Sequence, residues 1–229
     1  MTMAFERLFL LELPFGLCAG VSLPTGDFAL PAGLHPDEAA FARALPEARR
    51  AGWVGGRVAL RAAFDAAKIA VPNAILSTPR GAPLLPPDAV GSVSHKRTVA
   101  VALAAPAATP SATVGIDVEE IRPLRTDIAP RVLTPQELAD LPTAGPTRDI
   151  AVLVSFSAKE AIYKALDPWV QRFVAFDEAT VNREPDGTFG ARLTLARGEG
   201  PFSVEIHQAR GADTDGLIVV AARIRRARD

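Results

Sequence analysis

Residues 114–119, with the sequence VGIDVE, decide the fold of the second half of the chain. Apolar and acidic side chains alternate in this stretch, and a period of two predicts a β-strand. Side chains two residues apart share one face of a strand, so we expect Asp117 and Glu119 to lie together, while Ile116 and Val118 enter the core on the other face. Two neighbouring carboxylates repel each other unless a cation or hydrogen-bond donors lie between them, and carboxylate oxygens suit Mg²⁺. The stretch predicts either a metal site or a polar strand face paired with arginines.

About 40 residues further on, residues 155–166 (SFSAKEAIYKAL) predict a helix. Glu160 and Lys164 are four residues apart and therefore share one helix face, with Lys159 about 100° around the axis. Two interpretations remain open for this segment. The charged side chains form a reactive site, or Ser157 and Glu160 form a capping box at the helix start while Glu160 and Lys164 form a surface ion pair.

In the first half of the chain, a predicted helix over residues 47–68 carries a basic stripe. Arg49, Trp53, Arg57 and Arg61 recur at steps of four. Like charges at this spacing destabilise a helix unless an anion lies among them, and arginine binds phosphate through two parallel hydrogen bonds. The stripe indicates a phosphate site or a solvated helix face, and the neighbouring glycines 55 and 56 indicate close packing against the helix.

Two further motifs follow this helix, RGAP at residues 80–83 and GSVSH at residues 91–95. The first predicts a turn that carries a cation and can surround a planar or phosphorylated ligand. The second opens a strand predicted over residues 92–104, from which Ser94 and His95 could reach a phosphate. His95 as a core histidine is the alternative.

Composition limits the class of protein. The chain has 229 residues, of which 48% are hydrophobic and 22% are charged, with a net charge of −1 and one cysteine, Cys18. This composition is typical of a folded protein without a disulfide framework, and the charge balance argues against a nucleic-acid-binding surface. We expect no membrane span, no signal peptide and a cytoplasmic location. The uncharged stretch 104–113 predicts a junction between two mixed α/β halves.

Taken in order, these motifs resemble the 4′-phosphopantetheinyl transferases, in particular the Sfp/enterobactin-synthetase-component type of bacterial secondary metabolism. The resemblance spans about residues 45 to 185. It implies an α/β (α+β) fold of two similar halves related by a pseudo-two-fold, with the active site in the cleft between them. The first half, 1–108, would bind coenzyme A, and the second, 109–229, would bind Mg²⁺ and perform catalysis.

The implied reaction moves the phosphopantetheine arm of coenzyme A to a serine of an apo acyl or peptidyl carrier protein and releases adenosine 3′,5′-bisphosphate. The partners would be coenzyme A and carrier proteins of siderophore or other secondary-metabolite biosynthesis, and the enzyme would be a monomer. Two alternatives of other classes are a metal-dependent phosphohydrolase or nuclease and a catalytically silent carrier-binding module.

The resemblance also assigns residues. The metal ligands would be Asp117, Glu119 and Glu160. Catalysis would rest on Glu160 as the base for the carrier serine, on Lys164, which offsets charge on the leaving group, and on Asp117. Coenzyme A would contact Arg49, Arg57, Arg80, Gly81, Ala82, Pro83, Ser94, His95, Lys159 and Lys164.

Overall fold

The computed structural model describes residues 5–71, 73–107, 112–184, 188–209, 214 and 216–226. The chain forms two compact units, Met1–Pro110 and Ser111–Asp229. The predicted boundary between residues 108 and 109 falls within 108–111, which lie outside the described residues.

The first unit packs one long helix on an antiparallel sheet. Its elements are β1 (Arg7–Leu13), β2 (Gly16–Ser22), α1 (Pro36–Ala44), α2 (Glu47–Ala66), β3 (Ala89–His95) and β4 (Val99–Pro106). The strand order is β1-β2-β4-β3, and α2 lies across β2, β3 and β4. The core between helix and sheet contains Leu60 and Phe64 of α2 together with Val21 and Ala102 of the strands.

Local sequence explains where the helices of this unit begin. Pro36 occupies the first turn of α1, where its missing N–H costs nothing, and His35 and Glu38 form a reciprocal capping box. Helix α2 confirms the prediction over 47–68 to within two residues. The single strand predicted over 92–104 is wrong, because the chain turns after His95 and forms the hairpin β3–β4.

The second unit combines helices with two antiparallel sheets. Its elements are β5 (Ala112–Glu120), α3 (Ala129–Val132), α4 (Pro135–Ala139), α5 (Pro146–Val170), β6 (Ala179–Arg183), β7 (Phe189–Leu193), β8 (Phe202–Ala209) and β9 (Leu217–Arg226). Strands β5, β9 and β8 form one sheet in that order, and β6 pairs with β7. Helix α5 packs on β5 and β9.

Helix α5 begins nine residues before the predicted start at Ser155. Gly145 precedes it with a φ of +83°, and Pro146 occupies the first turn. Ser157 and Glu160 therefore lie in the middle of the helix, where the backbone N–H groups already have helical partners. The capping-box interpretation of Glu160 is wrong for this reason.

Strand β5 lies in very close contact with α5. A Cβ atom added at Gly115 would stand 1.9 Å from the carbonyl oxygen of Ala161 and 2.8 Å from the amide nitrogen of Ala165. Two residues earlier on the same strand face, the Thr113 hydroxyl donates to the Ala165 carbonyl at 2.6 Å. Glycine at position 115 is thus what allows the helix to approach the strand.

The predicted fold class, mixed α/β, is confirmed by these elements. The pseudo-two-fold relation and the position of the active site between the halves stay predictions. None of the described helices combines the length and the apolar character needed to cross a membrane. Cys18 is fully buried, and burial raises the pKa of its thiol to about 12, as expected for an inert thiol.

Candidate active site

A pocket of about 400 Å³ opens in the first unit between α1, α2, the loop after Ile75, and β3. Its lining includes five of the residues predicted to contact coenzyme A, which are Arg49, Arg57, Arg80, Gly81 and His95. Arg49, Arg80 and His95 are exposed, so solvent or an anion can reach two cationic guanidinium groups and an imidazole in the pocket. The site can therefore bind a phosphorylated ligand.

One wall of the pocket is aromatic. The rings of Phe41 and Trp53 stack with centroids 4.9 Å apart, and the Arg57 guanidinium lies 4.4 Å from the centroid of the Trp53 ring. Both aromatic residues line the pocket. An apolar wall beside cationic groups suits a ligand that has a flat ring as well as phosphates.

Arg57 lines the pocket but binds groups of the protein itself, and its predicted phosphate contact stays a prediction. Its side chain is 1% exposed, its Nε donates to the Ile75 carbonyl at 2.6 Å, and its Nη2 donates to the Leu76 carbonyl and the Ser77 hydroxyl at 3.0 and 2.7 Å. Burial lowers the pKa of this guanidinium to about 10, which leaves it charged at neutral pH. Arg57 fastens the loop that borders the pocket.

The loop itself is a tight turn. The Gly81 amide donates to the Thr78 carbonyl at 2.9 Å, and the Ala82 amide donates to the Thr78 hydroxyl at 3.1 Å. Gly81 has a φ of +91°, a backbone region that favours glycine. Arg80 is thereby placed at the tip of the turn, as the RGAP motif predicted, whereas Ala82 and Pro83 are not among the lining residues.

His95 is placed by a glycine of α2. A Cβ atom at Gly52 would stand 2.6 Å from Cε1 and Nδ1 of His95, so the imidazole lies directly on the helix backbone. Val93 and His95 line the pocket, and Ser94, which lies between them, points to the opposite face of β3 and is 7% exposed. The interpretation of His95 as a core residue is wrong, and the phosphate contact of Ser94 stays a prediction.

In the second unit, Asp117 and Glu119 share one face of β5, as predicted. Their register partners on β9 are Val220 and Ile218, which belong to the core beneath α5. Both acids are buried, at 4% and 6% exposure, and Ile116 and Val118 on the other face are fully buried too. The prediction that the acids face away from the core is therefore wrong.

Lys164 connects α5 to this acidic strand. Its ammonium donates to Oδ1 of Asp117 at 2.8 Å and to the Ile116 carbonyl at 3.0 Å. Its side chain is 28% exposed, compared with 5% for Asp117. The pair places a cation beside a buried carboxylate while the ammonium remains accessible.

Lys159 does not occupy a ligand-binding position, in contrast to the prediction. It is fully buried, and its ammonium donates to the Val132 carbonyl, the Phe176 carbonyl and Oε2 of Glu137, at 2.8, 2.8 and 2.7 Å. Three acceptors use all three protons of a lysine. Burial lowers its pKa, and the hydrogen bond that it donates to Glu137 opposes that shift. Lys159 joins three segments of the second unit.

Glu160 lies on α5 one turn before Lys164 and is half-buried. Among the residues that the structure describes, no three histidine, cysteine or acidic side chains are gathered to hold a metal ion. The structure therefore brings Asp117 and Glu119 onto one strand face and leaves the three-ligand site of Asp117, Glu119 and Glu160 as a prediction.

Sequence reasoning missed several lining residues, including Phe41, Gly52, Ser77 and Thr78. A signal for Gly52 was available, because it lies four residues before Gly56 and on the same side of α2 as the arginine stripe. Nothing local in the sequence marks Phe41 or Ser77, since the contacts that bring them to the pocket join separate segments.

Comparison with known proteins gives consistent matches in both units. Residues 37–105 match the 4′-phosphopantetheinyl transferase N-terminal domain, and residues 113–221 match the 4′-phosphopantetheinyl transferase superfamily. The 4′-phosphopantetheinyl transferase Svp of Streptomyces mobaraensis is 38% identical over 203 residues, which is 83% of this chain and 78% of that protein. PptT of Mycobacterium tuberculosis is 32% identical over 161 residues, 69% and 70% of the two chains. The structure of holo-ACP-synthase from Plasmodium yoelii aligns with 50% of this chain and 94% of its own, at 20% identity and a TM-score of 0.40.

Proposed function

Since this chain belongs to the 4′-phosphopantetheinyl transferase superfamily, we propose that the first-unit pocket binds the nucleotide part of coenzyme A and that the acids of β5 and α5 perform the transfer. The protein is an enzyme that moves the phosphopantetheine arm from coenzyme A to carrier proteins. The family, the enzyme class and the transfer from coenzyme A to carrier proteins are confirmed as predicted from the sequence, whereas the dependence on Mg²⁺ stays a prediction. The nuclease and silent-module alternatives are set aside.

The observation that carries the residue assignment is the pocket that joins cationic groups to an aromatic wall. Coenzyme A has an adenine ring, a 3′-phosphate and a pyrophosphate. Arg49, Arg80 and His95 offer exposed donors for the phosphates, and the wall of Phe41 and Trp53 offers an apolar surface for the base.

Mg²⁺ is the metal that the family implies, and the donor chemistry of the second unit fits it. Asp117 and Glu119 present only carboxylate oxygens from one face of β5, and Glu160 offers another carboxylate from α5. We assign these three residues as the candidate ligands. When bound, Mg²⁺ would neutralise charge on the pyrophosphate and polarise the phosphorus under attack.

Two side chains of α5 take the remaining roles. Glu160 is half-buried and carries a carboxylate that can accept the proton of the carrier serine, directly or through water. Lys164 keeps a partly exposed ammonium, which can offset the negative charge that grows on the departing bisphosphate. Asp117 orients that ammonium through the 2.8 Å contact.

The direct test of this function is a mass measurement. Incubation with coenzyme A, Mg²⁺ and a panel of apo acyl and peptidyl carriers should add one phosphopantetheine group to a carrier serine. Adenosine 3′,5′-bisphosphate should be released in an amount equal to the phosphopantetheine transferred. Carriers that gain no mass at any enzyme concentration would contradict the proposal.

Replacing Arg49 by methionine should weaken binding of coenzyme A more than binding of dephospho-coenzyme A, which has no 3′-phosphate. A charge-assisted hydrogen bond contributes about 1.5–3 kcal/mol, so the expected ratio of the two losses is at least about tenfold. Calorimetry with both ligands measures it. Arg43→Met is the control, since Arg43 is exposed near the end of α1 and is not a lining residue. Equal losses of affinity for both ligands would show that Arg49 does not contact the 3′-phosphate.

Replacing Asp117 by asparagine should lower turnover at least about 10²-fold and should weaken Mn²⁺ binding, measured by electron paramagnetic resonance on the isolated enzyme. Asparagine keeps the shape and one acceptor for Lys164 but removes the negative charge that a metal requires. Glu120→Gln is the control on the same strand, because Glu120 points to the opposite face. Unchanged Mn²⁺ affinity in Asp117→Asn would contradict its assignment as a ligand.

A further inference from the structure

Residues 71–77 lead directly into the turn that carries Arg80, and those of them that the structure describes belong to no helix or named strand. Backbone contacts hold the last part of this segment, because the Leu76 carbonyl accepts from the Leu84 amide at 3.0 Å and Ser77 forms an isolated bridge with Pro83. Charged residues of α1 and α2 bind the backbone of the rest, where strand or helix hydrogen bonds are lacking.

Glu38 of α1 is the centre of this arrangement. It is fully buried, and its Oε1 accepts hydrogen bonds from the Ile75 amide and from Nη2 of Arg61, both at 2.6 Å. Its Oε2 accepts from Nε of Arg61 and from the His35 amide, both at 3.3 Å. One carboxylate therefore joins the start of α1, the middle of α2 and the loop.

The arginines of α2 bind the same segment through its carbonyl groups. Arg61 donates to the carbonyls of Val71 and Asn73 at 3.1 Å each, and Arg57 donates to those of Ile75 and Leu76. The Ile75 peptide is consequently held on both sides, with its N–H on Glu38 and its C=O on Arg57. Two residues later, Ser77 accepts from Trp53 and Arg57 and lines the pocket.

Charge makes Glu38 indispensable to this arrangement. Arg57 and Arg61 lie one helical turn apart, and Arg57 is fully buried, so their like charges repel in a poorly solvated place. The carboxylate of Glu38 lies against Arg61 and offsets this repulsion. Without it, the two guanidinium groups would separate and the carbonyl contacts of the segment would weaken.

We propose that Glu38 is a positioning residue for coenzyme A binding, one that sets the affinity by holding Ser77–Gly81 in its binding conformation without touching the ligand. The inference rests on the proposed role of the pocket. A loop that is already ordered loses less conformational entropy when a ligand binds, and that difference appears as affinity. Chemistry at the phosphorus, which depends on residues of the second unit, should be unaffected.

The test is Glu38→Gln. Glutamine preserves the size of the side chain but replaces one acceptor oxygen by a donor that faces N–H groups, and it removes the charge. The dissociation constant of coenzyme A, measured by calorimetry, should rise about tenfold or more. Turnover at saturating coenzyme A should stay within about twofold, and hydrogen exchange of the amides of residues 75–82 should accelerate.

Glu178→Gln is the matched control. Glu178 also accepts two hydrogen bonds from one arginine, Arg172, and two from backbone amides, those of Ala175 and Ala196. It lies in the second unit, so its replacement should lower the melting temperature without changing the affinity for coenzyme A. Comparing the two variants separates an effect of lowered protein stability on coenzyme A affinity from an effect of a displaced loop.

If Glu38→Gln does not yield folded protein, the same measurements on Arg61→Lys test the inference. Lysine keeps the positive charge but lacks the planar guanidinium group that donates several hydrogen bonds at once. A coenzyme A affinity within twofold of the unmodified enzyme in the variant tested would overturn the inference, whatever the melting temperature. If the unmodified enzyme transfers phosphopantetheine in that case, the proposed function stands and only the role of Glu38 is refuted. An unmodified enzyme that neither binds coenzyme A nor transfers its arm would overturn both.

Discussion

Replacing Gly115 by alanine should destabilise the enzyme by at least about 4 kcal/mol, at the upper end of what single substitutions do. The new Cβ would stand 1.9 Å from the Ala161 carbonyl oxygen and 2.8 Å from the Ala165 amide, which are backbone atoms of α5 and cannot rotate away. The helix would have to move off the strand, and α5 carries Glu160 and Lys164. The melting temperature should fall by at least about 8 °C, and the transferase activity should be lost with it.

Gly56→Ala provides the contrasting substitution. The nearest atoms to a Cβ at Gly56 are those of the Val93 side chain, at 3.6 Å and beyond, which is ordinary contact. Alanine is favoured over glycine inside a helix by about 1 kcal/mol, so this variant should melt at the same temperature or higher. If Gly115→Ala melts within about 3 °C of the unmodified enzyme, the close approach of β5 and α5 is incorrect.

Replacing Glu160 by glutamine should lower turnover at least about 10²-fold, the low end of what a positioned base contributes. The carboxylate lies in the middle of α5, where glutamine and glutamate have nearly equal helix propensity. The substitution therefore removes the charge and the basicity while it leaves the helix intact. Steady-state rates at saturating coenzyme A and a thermal melt on the same preparation measure both quantities.

Tyr163→Phe, on the same helix, is the control for this substitution. Its hydroxyl donates to the Ala175 carbonyl at 3.0 Å, so its loss should lower the melting temperature slightly and leave turnover within about threefold. Near-native turnover in Glu160→Gln would show that this carboxylate is dispensable for transfer. Asp117 and Glu119 would then be the only acids among the three candidate metal ligands that the reaction can require.

The elements with strong periodicity were predictable from the sequence. Alternation over 114–119 identified β5, and the helix predicted over 47–68 matches α2 to within two residues. The start of α5 was missed because Ser157 and Glu160 imitate a capping box, whereas Gly145 and Pro146 are the true start signal. Helix α5 is also buried along much of its length, so the alternation of apolar and polar residues that normally reveals a helix is weak.

For the site, the identity of the charged residues was easier to predict than their roles. Arg80 and His95 lie at the pocket as expected. Lys159 and Arg57 are charged residues of the same motifs, yet both are buried and bind carbonyl groups of distant segments. A motif specifies residue types along one helix, while burial depends on which other segments cover that helix, and those contacts are long-range.

The way in which Arg57 and Arg61 hold the segment before the turn bears on how relatives of this enzyme can diverge. Both arginines bind main-chain carbonyls, and Glu38 binds a main-chain amide, so none of these contacts requires a particular side chain at positions 71, 73, 75 or 76 beyond what the core accepts. We expect the residues of this segment to vary in related enzymes, except at Ile75, whose side chain is fully buried in the core and must stay apolar. The three charged anchors, which are far from it in the sequence, would be the part that persists.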